Sequence, residues 1–511
     1  MKKSLVLLIL DGWGIGKKDT TNPLYSQSLP TFEYIEKNFP GGSLQASGIA
    51  VGLPWEERGN SEIGHLTIGS GKIVYQDYPR ISLAVKNGQF QKNQAIQSAF
   101  DQALQKKSTV HLIGLISKAN IDSSLNHLYA LINLAQEKNI NFALHLITDG
   151  QDSSPKDALE IIKTLPTEKI ASLSGRYYAM DEDEHWDRIA KAYQAMTGQN
   201  PSVPSAQKLL EESYQNNLSD QHINPSLIAS GPGPVKSGDS LIFFNFRTDS
   251  SWQLAAAFTD PDFQEFSRPP LSDLHSVTFT DFGPGISAQV AFPQEPITSS
   301  LGATVSQAGK TQIKIGETIK YYSLTYFFNG LNEKPFPNEY RVLVPSDNNP
   351  HQDKNPAMRA PEITARAIQS INEKVFDLII VNYANFDVIG HTGNIPAAVQ
   401  TTKIIDQEVN KIIRAASNSQ SPVLMIGSHG NIEQMVNALT GEAETTNTKN
   451  PVPIFLIDAT LQAPKSDSRI LSEKTSTTGI LSDVAPTVLQ LLDIPQPPEM
   501  SGQSLVKYLT K

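Results

Sequence analysis

The sequence predicts an α/β protein built from mostly parallel sheets flanked by helices. Three observations carry that expectation. Short apolar runs of strand length, rich in Val, Ile, Leu and Phe, recur at residues 5–10, 110–115, 142–147, 241–246, 378–381 and 423–426. Such unbroken runs suit strands buried on both faces. Helix-like segments lie between them, at 155–165, 187–196, 361–372 and 397–416, and the alternation is that of α/β folds. Polar, titratable residues stand immediately after the runs, where open parallel sheets hold ligands.

The elements are read in chain order. Leu5–Leu10 follows Met1-Lys2-Lys3-Ser4 and superficially resembles the start of an export signal. The apolar run is short, however, and ends at Asp11-Gly12-Trp13-Gly14 without a small-residue cleavage site, so a buried strand is expected. Gly59-Asn60-Ser61-Glu62-Ile63-Gly64-His65 reads as a glycine-rich turn around a serine. It is not an esterase nucleophile elbow, because the second glycine comes one residue late. Gly69-Ser70-Gly71-Lys72 is not a phosphate-binding P-loop, because Leu66 and Ile73 occupy positions that motif requires to be Gly and Ser or Thr. Asp149-Gly150-Gln151-Asp152 follows the third run and Arg247 the fourth. Pro293-Gln294-Glu295-Pro296 reads as a linker. The stretch 385–393 contains Asn385, Asp387, Gly390, His391 and Gly393 and is expected to be a loop. Ser428-His429-Gly430 follows the sixth run, and the polar stretch 417–421 reads as a solvated connection.

The chain has 511 residues, of which 39% are hydrophobic, enough for two to four domains at roughly 150 residues each. The formal net charge of -10 is spread without acidic blocks, which argues against nucleic acid as the main partner. There is no cysteine, so any metal site must use Asp, Glu, His and hydroxyl donors. No stretch approaches the roughly 18 apolar residues of a membrane span. A cytoplasmic monomer with no membrane partner is expected.

Asp387 and His391, a carboxylate and an imidazole at short spacing, can together hold a divalent cation, with Asp11 and His429 available to complete such a site. An exposed Ser61 hydroxyl beside a metal could be activated as a nucleophile. Arg176, Arg247 and Lys320 are candidates for holding phosphate and carboxylate groups. Read singly, each of these has an ordinary alternative as a polar loop or surface residue.

Taken in order, the motifs resemble one family over nearly the whole chain. They run through Asp11-Gly12-Trp13-Gly14, Gly59 to Leu66, Ser174-Gly175-Arg176-Tyr177-Tyr178-Ala179-Met180-Asp181 and Phe243-Phe244-Asn245-Phe246-Arg247. They continue through Lys320-Tyr321, Phe327-Phe328-Asn329-Gly330, the Asp387/His391 stretch, His429-Gly430-Asn431, Asn450-Pro451-Val452-Pro453 and Asp483-Val484-Ala485-Pro486-Thr487. This ordered set resembles the 2,3-bisphosphoglycerate-independent phosphoglycerate mutases of the alkaline phosphatase superfamily. The resemblance implies a phosphatase-like metal-binding domain over residues 1–76 and 297–511, with a phosphotransferase domain inserted at 77–296. It implies two Mn ions, one served by Asp387 and His391 and the other by Asp11, Ser61 and His429. It implies that Ser61 takes the phosphoryl group from 3-phosphoglycerate and returns it to the other hydroxyl. Lys320 would stabilise the moving charge, and Asp152, Arg176, Arg247 and Lys320 would bind the small phosphorylated carboxylic acid substrate.

The same resemblance exposes departures. Where the family has Asp before His429, this chain has Ser428, and where it has a further His, this chain has Asn447. Glu442 or Glu444 are the carboxylates nearest in sequence that could stand in. On the substrate side a family His is Asp122, and family arginines are Gln151, Glu182 and Ser250. Charged hydrogen bonds contribute about 1.5–3 kcal/mol each, so losing three lowers affinity or rate by roughly a thousandfold. Three readings follow: a working mutase with an altered site, an inactive relative kept for binding or regulation, and a phosphohydrolase or mutase acting on a less acidic substrate through Ser61 and one metal.

Overall fold

A computed structural model describes residues 4–437 and 440–510; the start Met1-Lys2-Lys3 lies outside the described residues. The chain forms two compact units, Met1–Gln76 with Pro296–Lys511, and Asp77–Glu295. The mostly parallel, helix-flanked sheets that the apolar runs predict are the ones observed, one in each unit.

In the first unit the eight strands lie in the order Glu339–Val344, Gln312–Glu317, Leu378–Tyr383, Leu5–Leu10, Val423–Gly427, Val452–Ile457, Gly41–Gln45 and Thr477–Ile480. The first five are mutually parallel. Leu5–Leu10 sits centrally and is buried along its whole length. Val6, Leu8 and Leu10 enter one core with Val381 and Met425, and Leu5, Leu7 and Ile9 enter the other with Ile380 and Leu424. Burial on both faces is why this strand reads as an unbroken apolar run rather than an alternating one. Among the described residues no helix is long and apolar enough to cross a membrane.

The second unit repeats the principle with the order Gln289–Val290, His275–Thr278, Ser240–Phe243, Val110–Ile116, Phe142–Thr148, Ile170–Gly175, Ser226–Ile228 and Ser202–Val203. The first six are parallel. Leu112 and Leu144 fill one core, while Ile113, Leu115 and Ile147 fill the other.

Several elements differ from their sequence expectation. The strand expected at 241–246 ends at Phe243, because Asn245 leaves the ladder and accepts a side-chain hydrogen bond from the Leu115 N–H. The helix expected at 155–165 is confined to Ala158–Ile162. Pro166 disfavours helical backbone at Leu165 and so limits the C-terminal end. The helix expected at 397–416 is longer, Ile395–Asn418, because Asn394 caps it and Pro396 stands in its first turn. Part of the polar stretch at 417–421 is therefore helical.

Candidate functional site

Within the first unit, four neighbouring parallel strands deliver their carboxyl ends to one crest: Gln312–Glu317, Leu378–Tyr383, Leu5–Leu10 and Val423–Gly427. Asp11 directly follows one of these strands, Lys320 and Asp387 stand a few residues beyond two others, and Ser428-His429 follow the fourth. Asp11, Ser61, Lys320, Asp387, His391 and His429 are thereby brought together.

Two local expectations are corrected here. Ser61 is not in a turn; it is the first residue of a helix, Ser61–Ser70, capped by the Asn60 side chain accepting from the Ile63 N–H. The glycines around it serve close packing: a side chain at Gly64 would strike the Ser428 carbonyl, and one at Gly69 the Phe328 carbonyl. Asp387 is not in a loop either. It lies in a short helix, Asn385–Gly390, capped by His391, whose N–H donates to the Asp387 carbonyl at 3.1 Å. The four-residue spacing thus puts both side chains on one face. Gly390 is tolerated because any side chain there would collide with Asn431.

The polar contacts form a closed set. The Lys320 ammonium lies 2.6 Å from Asp11 Oδ2 and 2.5 Å from Asp387 Oδ2. His429 Nε2 is 2.8 Å from Asp387 Oδ1, and its Nδ1 is 3.4 Å from Asp11 Oδ1. Ser61 donates to Asp11 Oδ2 at 2.6 Å and lies 3.2 Å from Ser323 Oγ. Ser428 donates to Asp11 Oδ1 and is 3.0 Å from His429 Nδ1. His391 Nε2 is 3.2 Å from both Asp387 Oδ1 and Asn431 Nδ2, and Asn431 donates to Asn447 Oδ1 at 2.9 Å. Asp11 and His429 are fully buried.

Burial by itself would raise the Asp11 and Asp387 carboxyls; the Lys320 ammonium and the His429 ring outweigh it and hold both below the usual carboxylate range. Burial works against the charged Lys320, but Asp11 and Asp387 push it up nonetheless. His429 is pushed up to about 9, because attraction to Asp387 and hydrogen bonds to both carboxylates overcome its burial. His65, four residues after Ser61, was not singled out from sequence as a site residue. It is buried, with Nδ1 2.7 Å from the Ser61 carbonyl and Nε2 3.1 Å from Asn382, and burial lowers it. Its helical spacing from Ser61 was the available signal. Glu433 also escaped notice: it accepts from the Gly14 and Asn431 N–H groups and from Asn450, joining the segments around Asp11 and His429.

Within the second unit, Arg176 follows the strand Ile170–Gly175 and is 6% exposed. Its guanidinium lies 2.7 Å from Asp149, 2.5 Å from Asp152 and 3.1 Å from Asp122. Asp149 also accepts from Ser117 at 2.5 Å. Asp122 accepts from Ser250 Oγ at 2.7 Å, so two of the substituted positions are hydrogen-bonded to each other. Arg247 is half exposed and pairs with Asp249 at 2.9 Å. Glu182 is exposed and raised, by desolvation and by Asp249 and Asp122. Gln151 is exposed and 3.4 Å from Gln221.

A fold of this kind defines a class, a two-unit α/β protein with a buried polar cluster at the strand ends of one mostly parallel sheet. A phosphoglycerate mutase from Leishmania mexicana, solved at low cobalt concentration, shares the fold with a TM-score of 0.53, at 24% identity over 98% of this chain and 97% of that one. The family model described as the BPG-independent PGAM N-terminus matches residues 81–284. The 2,3-bisphosphoglycerate-independent phosphoglycerate mutase of Synechococcus sp. (strain JA-3-3Ab) is 40% identical over 98% of this chain and 96% of its own length. That of Ectopseudomonas mendocina (strain ymp) is 39% identical over 99% of both. The chain belongs to the 2,3-bisphosphoglycerate-independent phosphoglycerate mutase family.

The family is metal-dependent, but a two-ion centre does not fit the residues present. The Ser428 hydroxyl donates to Asp11, and the Asn447 carbonyl is engaged by Asn431. Glu444 does not substitute, since it is bound by Thr446 and lies 3.5 Å from Arg58. Among the described residues no group of three or more His, Asp or Glu side chains is arranged to hold a metal ion.

Proposed function

We propose that this chain, a member of the phosphoglycerate mutase family, is an impaired mutase with turnover at least about a thousandfold below that of its relatives, the alternative being an inactive relative kept for binding or regulation. The reference reaction is the interconversion of 3- and 2-phosphoglycerate. The observation that carries the reading is the state of Arg176. The buried guanidinium meant for an anionic substrate is already neutralised by Asp122, Asp149 and Asp152. With Glu182 and Asp249 added, five carboxylates face two guanidinium groups, and a trianionic substrate meets repulsion.

The substituted positions also satisfy one another. Asp122 holds Ser250, Ser428 holds Asp11, and Asn447 holds Asn431. The reading includes a cytoplasmic monomer with no bound pair of Mn ions. The test is turnover of 3-phosphoglycerate with added Mn, beside the Synechococcus relative. A rate at least about a thousandfold lower is expected, and comparable rates would refute the proposal.

One observation favours a second reading, a residual phosphohydrolase or mutase. Ser61 stands at the start of a ten-residue helix and donates to Asp11 at 2.6 Å, the posture of an activatable nucleophile. Label trapped on Ser61 from a phosphate-monoester donor, and lost in Ser61→Ala, would favour it over the first.

A further inference from the structure

The first unit holds a cavity away from its polar cluster. The helices Pro30–Asn38 and Asp467–Thr475 and the segment carrying Trp13 enclose it against the sheet, with a volume of about 430 Å³. That size suits a small molecule. None of Asp11, Ser61, Lys320, Asp387, His391 and His429 lines it. Trp13 stacks on Phe32 and Phe455 with ring centroids 5.2 and 6.2 Å apart, and all three rings line the space. Gln27 lines it too. The Gln27 amide nitrogen donates to the Val399 carbonyl at 2.5 Å and to Thr402 Oγ1 at 2.8 Å, whereas its Oε1 is buried without a hydrogen-bond partner. A buried acceptor left unmet is costly, and an N–H group on a ligand would meet it.

The charges around the cavity are unequally met. Its three carboxylates are engaged. Glu33 accepts from the Ser28 hydroxyl at 3.0 Å and the Leu29 N–H at 3.3 Å. Glu36 is paired with Lys474, and Glu473 with Lys465 at 2.5 Å and Arg469 at 3.1 Å. The lining lysines Lys18 and Lys37 form no ion pair among the described residues, and Lys18 meets only the Tyr25 ring, at 5.8 Å. The charge left over is positive. Lys18 and Ile470 also line an adjoining recess, so they stand where a ligand would enter. We infer that this cavity binds a small aromatic anion. Its rings would lie against Trp13, Phe32 and Phe455, an N–H group would meet Gln27 Oε1, and its acidic group would sit at Lys18. The inference does not rest on the functional reading above, because none of these residues belongs to the clusters around Asp11 and Arg176.

The test uses the full-length chain and anilinonaphthalene sulfonate, a dye with aromatic rings, one N–H group and one sulfonate. Its fluorescence should report a single saturable site per chain at roughly ten micromolar. Two variants place the site. Ile470→Trp fills the entrance, and Lys18→Met removes the unpaired cation from an exposed position. Each should weaken dye binding at least about tenfold and leave the melting temperature unchanged. Neutral phenyl-naphthylamine, which keeps the rings and the N–H but lacks the sulfonate, should bind the wild type at least about tenfold more weakly and be indifferent to Lys18→Met. No saturable dye binding by the wild type would overturn the inference. So would unchanged affinity in Ile470→Trp, which would put the dye on another apolar surface. Equal binding of the neutral and anionic molecules, or unchanged dye affinity in Lys18→Met, would overturn the choice of an anion. If Ile470→Trp does not fold, the wild type and Lys18→Met decide alone.

Discussion

Arg176 and Asp122 show how one substitution changes the meaning of its neighbours. Asp122 brings a third carboxylate to a buried guanidinium and takes a hydrogen bond from Ser250, 128 residues away. Arg176→Met is expected to destabilise the chain by about 3–5 kcal/mol, since it strands buried carboxylates. Adding Asp122→His should recover part of that loss, as read by urea denaturation. No recovery would mean that Asp122 contributes nothing to the pairing. A second residue, His127, is buried among Tyr78, Phe246 and Phe279, with Nε2 2.9 Å from Ser82. Burial pushes it down to about 4. Between that value and its ordinary 6.5 the unfolded chain binds the proton more readily, so this contribution is intact above pH 6.5 and is lost as pH falls towards 4. From pH 7 to 5 the loss is about 2 kcal/mol, and His127→Gln should abolish that part of the pH dependence. Asp11, Ser61, Lys320, Asp387, His391 and His429 could each be picked from the sequence as candidates. The Lys320 bridge could not, because it joins residues from three separate strand ends and is set by the fold rather than by spacing.

At the level of elements, strands were legible where burial on both faces comes with a continuous apolar run, as in Leu5–Leu10 and Phe142–Thr148; Ile170–Gly175 and Gln312–Glu317 are buried as fully, but small and polar residues interrupt them and they were not among the runs. Nor were the short helices bearing Ser61 and Asp387 legible. Glycines at 59, 64, 69 and 390 look like turn residues, and only the packed structure shows that they are there for clearance. The helix Ser61–Ser70 offers a test in which two effects oppose each other. Gly69→Ala should stabilise an isolated helix by about 1 kcal/mol. In the folded chain the new methyl meets the Phe328 carbonyl, and overpacking of this kind costs about 1–3 kcal/mol or more. Net destabilisation by denaturant melting is therefore expected; a more stable variant would show that the contact is loose.

At the scale of the whole molecule, alternation of runs and helices was enough to predict α/β sheets. The insertion was visible only through the family resemblance, because composition marks one boundary, at Pro293–Pro296, and leaves the other unmarked. The unit Asp77–Glu295 is contiguous and has its own two-sided core. Expressed alone, residues 77–295 should fold and melt cooperatively, as followed by circular dichroism; a non-cooperative melt would show dependence on the rest of the chain. That unit also holds Arg176 and its three carboxylates, so the account meets its most direct trial there. Calorimetric titration of the full-length chain with 3-phosphoglycerate should give no binding tighter than roughly millimolar. Micromolar binding would show that the guanidinium is still open to an anion and would contradict the account at its base.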